Sequence, residues 1–423
     1  VSNDMSKEYK LTELDQLTLI RTTIKDTAKL LGYPDELYHL VKDSLKTLKV
    51  RIPVRMDDGS IKVFTGFRSQ HNDAIGPTIG GVRFHPNVSE TEINMLAIWM
   101  TLKASVLDLP LGGAMGGIVC DPREMSFREL EALSRGYIRA IGPFMTMQRD
   151  ILTPELFTNS QIMAWMLDEY NRMNPTAAPL FITGKPFVLG GMQQRNDARA
   201  KNIIAYIKQA ASLQNIPLND ARIIVQGFGH AGSFIAKRLH DLGAKIIGIS
   251  DAYGAIYKED GLDISYLYDR RDSFGTITKL FDQTITNQQL LELECDILVP
   301  AAVSGQVTQK NAHNINAKVI VEAVNNSITF EAYEILFKDN IFVVPDLLTS
   351  TGDLMLSYVE WLQNKRHERF SEEEMNEKIA NYVASSFQNV YETSKNRSIN
   401  TKVATYIVAL QRLAEVMRFR GWI

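Results

Sequence analysis

The run Gly227-Phe228-Gly229-His230-Ala231-Gly232 has residue types and spacing that imply a definite chemistry. A short apolar strand, Arg222-Ile223-Ile224-Val225-Gln226, leads straight into it, and a helical pattern continues to Leu242. Gly227 permits a tight turn, Gly229 lets the backbone approach a pyrophosphate, and Gly232 allows close helix packing, while the helix start offers free N–H groups to phosphates. The next strand, Lys245 to Ser250, ends in Asp251, roughly 20 residues beyond the loop. A carboxylate there accepts hydrogen bonds from adenosine ribose hydroxyls and repels a 2′-phosphate, so NAD is expected rather than NADP. Alone, Gly-x-Gly-x-x-Gly marks many ordinary turns; strand, loop, helix, strand and acid in this order predict a dinucleotide fold. Two further glycine-rich segments, Gly76-Pro77-Thr78-Ile79-Gly80-Gly81 and Leu111-Gly112-Gly113-Ala114-Met115-Gly116-Gly117, read as loops, each carrying one apolar side chain of interest, Ile79 and Met115.

The elements that must position these residues are those of an ordinary globular chain. Its 423 residues, 45% hydrophobic and 22% charged, suffice for two domains with separate cores. A net charge of -3 gives no basic footprint for nucleic acid and no polybasic membrane patch. The segment Val1-Ser2-Asn3-Asp4-Met5-Ser6-Lys7-Glu8 is polar, and no apolar run approaches membrane-spanning length. A cytoplasmic protein is expected. Cys120 and Cys295 are too few for a disulfide framework and have no Cys/His cluster nearby, so both read as packing residues and no metal site is expected.

An amphipathic helix is predicted from about Leu11 to Leu31, then a hairpin from the strands Leu48 to Val54 and Ile61 to Thr65 around the turn Asp57-Asp58-Gly59. Helical patterns alternate with the glycine segments between about Glu90 and Ala140. Thr183-Gly184-Lys185-Pro186 with Gly190-Gly191 forms a cluster of breakers, where the domain hinge is placed. The polar stretch Ser371 to Lys378 reads as the exposed first turns of a long helix.

From Arg51-Ile52-Pro53-Val54 to Arg418-Phe419-Arg420-Gly421-Trp422-Ile423, the chain resembles glutamate dehydrogenases of the small hexameric class, within the Glu/Leu/Phe/Val dehydrogenase superfamily. The resemblance implies an α/β fold: an N-terminal substrate and oligomerisation domain, residues 1–186 completed by a C-terminal helix at about 395–423, and a Rossmann-like NAD-binding domain, residues 187–394. It also implies NAD as cofactor, an amino acid or 2-oxo acid as substrate, and a homohexamer. By the same resemblance, Lys103 matches the lysine that grips the substrate α-carboxylate and Ser357 a serine touching the side-chain carboxylate. Thr183 and Asn325 match the residues that meet the nicotinamide amide.

The departures from the family pattern fall on the site. Ile79 stands where the family has a lysine for the glutamate side chain, Met115 where Gly-Gly-x-Lys-Gly-Gly carries the catalytic lysine, and Glu155, after Thr153-Pro154, where it has the catalytic aspartate. His230 replaces a small polar residue, Val324-Asn325-Asn326-Ser327 an Ala-Asn-Gly-Pro turn, Asp353 a glycine, and Met192-Gln193-Gln194-Arg195 a Ser-x-Gly-Arg run. Methionine has neither a proton to donate nor a charge. Loss of a catalytic acid or base costs about 10²- to 10⁴-fold. Blander readings stand beside these: Lys103 as a solvated helix residue, Glu155 as a helix cap, Arg83 as an anchor. Three functions are compatible with the sequence: an active NAD-dependent glutamate dehydrogenase, a dehydrogenase of an apolar amino acid, and a non-catalytic subunit of an active paralogue. The expectation is the ancestral scaffold with glutamate oxidation severely reduced or lost through Met115 and Ile79.

Overall fold

The computed structural model describes residues 12–145, 149–174, 180–192 and 198–423. Gln193, Gln194 and Arg195, like the polar N-terminal segment, lie outside the described residues. Contacts divide the chain into a first unit, Leu11–Arg195 with Leu354–Ile379 and Tyr406–Ile423, and a second, Asn196–Asp353 with Ala380–Thr405. Helices α12 (Gly352–Arg366), α13 (Glu372–Arg397) and α14 (Thr401–Phe419) therefore contribute residues to both. The breaker cluster 183–191 belongs to the first unit.

In the first unit, α1 (Glu13–Leu30) starts at a capping box in which Thr12 Oγ1 accepts from the Asp15 N–H and the Asp15 carboxylate accepts from the Thr12 N–H. After α2 (Asp35–Val41), β1 (Lys46–Arg55) and β2 (Ile61–Asn72) form the expected hairpin, paired from Lys46 with Gln70 to Arg55 with Ile61. The chain continues through β3 (Thr78–Phe84), α3 (Glu90–Val106), β4 (Gly112–Ile118), α4 (Phe127–Ile141), β5 (Asp150–Pro154) and α5 (Ser160–Met173). The sheet order is β1-β2-β4-β3-β5, with β3 parallel to both β4 and β5.

The two glycine-rich segments are strands, not the loops expected from their composition. A Cβ on Gly80 would lie 1.6 Å from the Ala114 carbonyl oxygen, and one on Gly113 would lie 2.1 Å from the Thr101 nitrogen. Glycine is there because β3, β4 and α3 approach too closely for side chains, and interstrand hydrogen bonding overrides its weak strand propensity.

The strands are fastened from one face by a buried ion pair. Arg68 on β2 donates from Nε and Nη2 to the Asp150 carboxylate on β5, at 2.9 and 2.5 Å, and from Nη1 to the carbonyls of Gly80 and Gly81 on β3 at 3.2 and 3.1 Å. Thr78 and Gln70 complete the shell of Asp150, each at 3.0 Å. Both partners are wholly buried.

In the second unit, α6 (Ala198–Leu213), β6 (Arg222–Gln226), α7 (His230–Asp241), β7 (Lys245–Ser250) and β8 (Ala255–Tyr257) are followed by α8 (Ile264–Arg270), α9 (Asn287–Leu291) and β9 (Cys295–Pro300). Then come β10 (Ala317–Val321), α10 (Phe330–Lys338), β11 (Phe342–Val344) and α11 (Asp346–Thr349). The order β11-β10-β9-β6-β7-β8 is parallel except for the antiparallel edge strand β8. This is a doubly wound sheet in which β6, with four of its residues fully enclosed, is central. Strands β6 and β7 have the bounds read from the sequence.

Cys120 and Cys295 are buried, and burial pushes both thiols up to about 12, so neither is a thiolate at neutral pH. Among the described residues, no helix is long and apolar enough to cross a membrane and no His/Cys/Asp/Glu group could hold a metal ion.

Asp150→Asn leaves the enclosed Arg68 guanidinium without its counter-ion, a one-sided loss that costs about 3–5 kcal/mol. Denaturant titration of this variant is expected to show a clearly lower midpoint. An unmoved midpoint would mean that the clamp contributes nothing to the fold.

Candidate active site

Strand alternation places Ile79, Gly81 and Arg83 of β3 on one face, and the parallel register adds Gly113, Met115 and Gly117 of β4. This is the face covered by α3, opposite to the Arg68 clamp. A Cβ on Gly81 would meet the Glu155 Cβ and Cγ at 2.5 and 2.7 Å and the Met115 Cε at 3.5 Å, so the two side chains converge on the bare backbone of Gly81. Ile79 is fully buried two residues earlier on that face. Met115 packs with Phe67, Val88, Ile93 and Ala97. What surrounds this meeting point on its β4 side is hydrocarbon and a thioether.

On its β5 side lies charge. The Glu155 carboxylate accepts from Arg83 Nε and Nη2, both at 2.8 Å, and Arg83 Nη1 reaches Glu92 of α3. This bidentate geometry fixes the acid in place. Glu155 is not a helix cap, because α5 begins at Ser160 under the side chain of Asn159. Arg83 is an anchor for two carboxylates, and as a guanidinium it stays protonated. Lys103, half-buried in the last turn of α3, is positioned through the packing of that helix on Gly113.

Thr183 is fully buried and bonded through its N–H to the Leu152 carbonyl of β5 at 2.9 Å. The following turn is held by Glu360 of α12, which accepts from the Gly184 N–H at 2.9 and 3.0 Å and from Lys185 Nζ at 2.9 Å. Both members of that pair are buried. Ser357, also buried, lies one turn before Glu360 on α12, so a single helix face serves Ser357 and the turn after Thr183.

In the second unit the glycine loop has the geometry a phosphate needs. Gly227 has φ +95°, and a Cβ there would be 2.9 Å from the backbone of Ala302. Gly229 caps α7 without any side-chain bond and faces open space, while a Cβ on Gly232 would strike the Gly227 carbonyl at 1.9 Å. These residues fit a pyrophosphate at the helix N-terminus. The Phe228 side chain is buried, so only its backbone faces the loop's ligand side, and His230 is exposed. Asn325 is half-buried and Asn326 takes φ +52°, the left-handed conformation asparagine tolerates better than most residues.

Asp251 differs from its sequence-based reading. Its carboxylate accepts from the N–H groups of Tyr253, Ile277 and Thr278 at 2.8, 2.8 and 2.7 Å and from the Thr278 hydroxyl at 2.8 Å. A carboxylate has about four acceptor positions, so in this conformation ribose hydroxyls would have to displace one of these donors. Burial would raise this carboxyl, but the amide donors of Thr278, Ile277 and Tyr253 hold it below the usual range. The anchored segment runs over the glycine loop: a Cβ on Gly275 would be 2.2 Å from the Phe228 carbonyl oxygen.

Two sequence models for Glu/Leu/Phe/Val dehydrogenases match this chain, the dimerisation domain over residues 45–172 and the dehydrogenase domain over residues 190–421. The chain belongs to the Glu/Leu/Phe/Val dehydrogenase family. It is 56% identical over 414 residues to the cryptic catabolic NAD-specific glutamate dehydrogenase of Bacillus subtilis, covering 97% of each chain. It is 54% identical over 413 residues to the NAD-specific glutamate dehydrogenase of Staphylococcus aureus, covering 97% of this chain and 100% of that one. Among solved structures, the hetero-hexameric glutamate dehydrogenase of Thermus thermophilus in its Leu-bound form superposes with a TM-score of 0.86 at 32% identity, over 96% of this chain and 97% of that one. The enzyme of Peptoniphilus asaccharolyticus gives 0.85 at 35% identity, over 96% and 100%.

Within this dehydrogenase fold, sequence reasoning missed the residues that hold the site from behind: Arg68, Asp150, Glu360 and His71. Glu360 carried a signal, a carboxylate within the apolar run Tyr358-Val359-Glu360-Trp361-Leu362, whereas Arg68 and His71 stand in the polar run Arg68-Ser69-Gln70-His71-Asn72, whose burial composition does not disclose. His71 is buried between Thr101 Oγ1 at 2.7 Å and the Val41 carbonyl at 2.8 Å, and burial lowers it to about 4. It is therefore a neutral imidazole donating from Nε2 to Val41, and it fixes Thr101 where α3 meets Gly113.

Asp251→Asn replaces one acceptor oxygen with a donor facing amide N–H groups. Losing those bonds costs about 1–3 kcal/mol locally, so the amides of Ile277 and Thr278 are expected to exchange with deuterium faster while those of β6 do not. Equal exchange at both places would remove Asp251 as the anchor of this segment.

Proposed function

We propose that this dehydrogenase-family chain binds NAD and carries the apparatus for oxidative deamination of L-glutamate to 2-oxoglutarate, with that activity severely reduced. The observation that supports the reduction is the convergence of a buried thioether, Met115, with Glu155 at Gly81, on a face where Ile79 is also buried. When bound, NAD supplies the hydride acceptor. The chain's own residues must hold two substrate carboxylates, exclude water and move protons. In this reading Lys103 holds the α-carboxylate, Ser357 touches the side-chain carboxylate, Thr183 and Asn325 meet the nicotinamide amide, and the Gly227–Gly232 loop holds the pyrophosphate. Glu155 stands where a proton carrier is needed, but its bidentate bond to Arg83 holds both of its oxygens in place.

Two ammonium groups are what the site lacks in this reading. A side-chain carboxylate left unpaired in a dry cleft costs several kcal/mol, and the oxygen that becomes negative during turnover loses its stabiliser. Arg83 supplies charge near Glu155 but no transferable proton. The first unit is proposed to carry substrate binding and assembly, the second the cofactor, in a homohexamer. The hetero-hexameric state named for the Thermus relative makes a mixed assembly with an active paralogue a reasonable variant of this reading.

A second reading, an unimpaired NAD-specific glutamate dehydrogenase, is favoured by the 53–56% identity to enzymes of that name. One assay separates the two. NADH formation from glutamate at saturating NAD is expected to be near background, and Ile79→Lys with Met115→Lys is expected to raise it by about 10²-fold or more. Turnover comparable to that of the Staphylococcus aureus relative in the unaltered protein establishes the second reading instead. Rapid oxidation of leucine, valine or phenylalanine with none of glutamate would reassign the substrate to an apolar amino acid.

A further inference from the structure

The turn 323–328 follows β10 at the carboxyl end of the parallel strands, the end where open α/β sheets bind their ligands. It is docked there by the Ala323 N–H to the Pro300 carbonyl at 3.0 Å and by its Asn326 and Ser327 carbonyls, which accept from the Gly305 and Gln306 N–H groups, both at 2.8 Å. Beneath it lie two carboxylates and one ammonium. Glu322 is fully enclosed and takes four hydrogen bonds: from the Ser327 hydroxyl at 2.8 Å and the Ile328 N–H at 2.9 Å on Oε1, and from the Tyr333 hydroxyl and the Asp346 N–H on Oε2, the last at 2.9 Å. Asp346 accepts from the Asn326 N–H at 2.7 Å and from Lys402 Nζ. Each of Asn326, Ser327 and Ile328 thus gives a hydrogen bond to one of these two carboxylates.

We infer that Glu322, Asp346 and Lys402 are positioning residues for the cofactor turn, and that loss of the negative charge on Glu322 loosens the turn and weakens binding of a nicotinamide dinucleotide. The inference rests on the assignment of Asn325 to the nicotinamide amide. Protonation converts one acceptor position of Glu322 into a donor, so either an amide N–H loses its partner or a hydroxyl must reverse to accept, and the bonds that remain, on Oε1 those of Ser327 and Ile328, go to a neutral carboxyl and are weaker. Lys402 Nζ bonds the Asp346 carboxylate and lies 3.9 Å from that of Glu322, so the two acids face each other across one ammonium. Burial, and then the neighbouring charge of Asp346, push the Glu322 carboxyl up to about 7 against the opposing pull of Lys402. The charged and titratable groups facing it are Asp346 of α11, Lys402 of α14 and Tyr333 of α10, with Arg199 of α6 bonded to the Ala323 carbonyl at 3.1 Å.

The sign follows from the ionised form being the one that holds the turn. NADH affinity is highest above the Glu322 midpoint and falls as pH drops through it. The test is a fluorescence titration of the full-length protein with NADH from about pH 6 to about pH 8.5, spanning that midpoint. The parent is expected to bind about 2- to 10-fold more weakly at the acid end, the range set by one hydrogen bond. Glu322→Gln is expected to bind weakly at every pH, without the titration. Tyr333→Phe keeps the carboxylate but removes a donor that favours its anion, so it is expected to bind NADH with the midpoint moved to higher pH. NADH affinity that is flat with pH in the parent, or a Tyr333→Phe midpoint unchanged from the parent, overturns the inference while leaving the cofactor assignment intact. No NADH binding at any pH overturns the cofactor assignment and this inference together.

Discussion

The Arg68 guanidinium ties together three strands that are distant in sequence. Its five N–H groups point at Asp150 and the Ile151 carbonyl on β5 and at the carbonyls of Gly80 and Gly81 on β3, and its own backbone belongs to β2. Burying such a charge is unfavourable unless every donor is met, and here the planar fork meets a carboxylate edge-on. The consequence appears on the opposite face. With β3 and β5 held at this spacing, Gly81 is the point where the side chains from β4 and from the end of β5 converge. The clamp adds to the backbone pairing of β3 with β5, to their buried Ile79, Val82, Phe84, Ile151 and Leu152 and to the Arg83–Glu155 pair in setting the register, and register in a strand decides which face every side chain takes.

The second unit uses carboxylates in a related way, as anchors for backbone. Asp251 gathers the N–H groups of Ile277 and Thr278 and lays that segment over the glycine loop. Glu322 and Asp346 gather those of Asn326 and Ile328 under the turn after β10. Glu360 does the same for Gly184 in the first unit. In each case an anion satisfies amides at a place where the chain leaves regular structure, and buried polar groups left unmatched there would cost about 1–3 kcal/mol each. The residues proposed to touch substrate or cofactor, Thr183, Asn325 and the Gly227–Gly232 loop, each adjoin one of these anchors. Precision at these positions thus rests on carboxylates that hold the backbone beside them.

This separation bears on how the chain relates to its NAD-specific relatives. The supporting network is complete: the clamp, the Glu360 turn and the Glu322 cluster all have their partners. Ile79 and Met115 lie on the face that the proposal assigns to the substrate, and both are buried, Met115 against Phe67, Val88, Ile93 and Ala97. Apolar side chains there strengthen the packing of α3 on the sheet, with about 1.5–3 kcal/mol available from burying each one. A lysine at either position would bring a charge into this packing and would weaken the local core.

Much of the architecture was legible in the residues themselves. Local pattern determined α1, the β1–β2 hairpin and the β6–loop–α7–β7 unit, because these depend on periodicity, on turn residues and on glycines next to one another in the chain. The two glycine-rich segments of the first unit read as loops because propensity penalises glycine in a strand and cannot register that a neighbouring strand and α3 come within 1.6 and 2.1 Å of where the Cβ atoms of Gly80 and Gly113 would lie. The sequence also named Asp251 as an acid in the right place without disclosing that four donors already surround it. Nor did it couple Arg68 to Asp150, Lys185 to Glu360, or Glu322 to Asp346 and Lys402. Those pairings join residues up to 175 positions apart, and only folding removes the water that would otherwise solvate each charge by itself. What the sequence decided alone was which segments become elements and which residue types are available for chemistry. What the tertiary structure decided was which charges lose their water and must find one another, because that depends on burial and burial is a property of the whole fold.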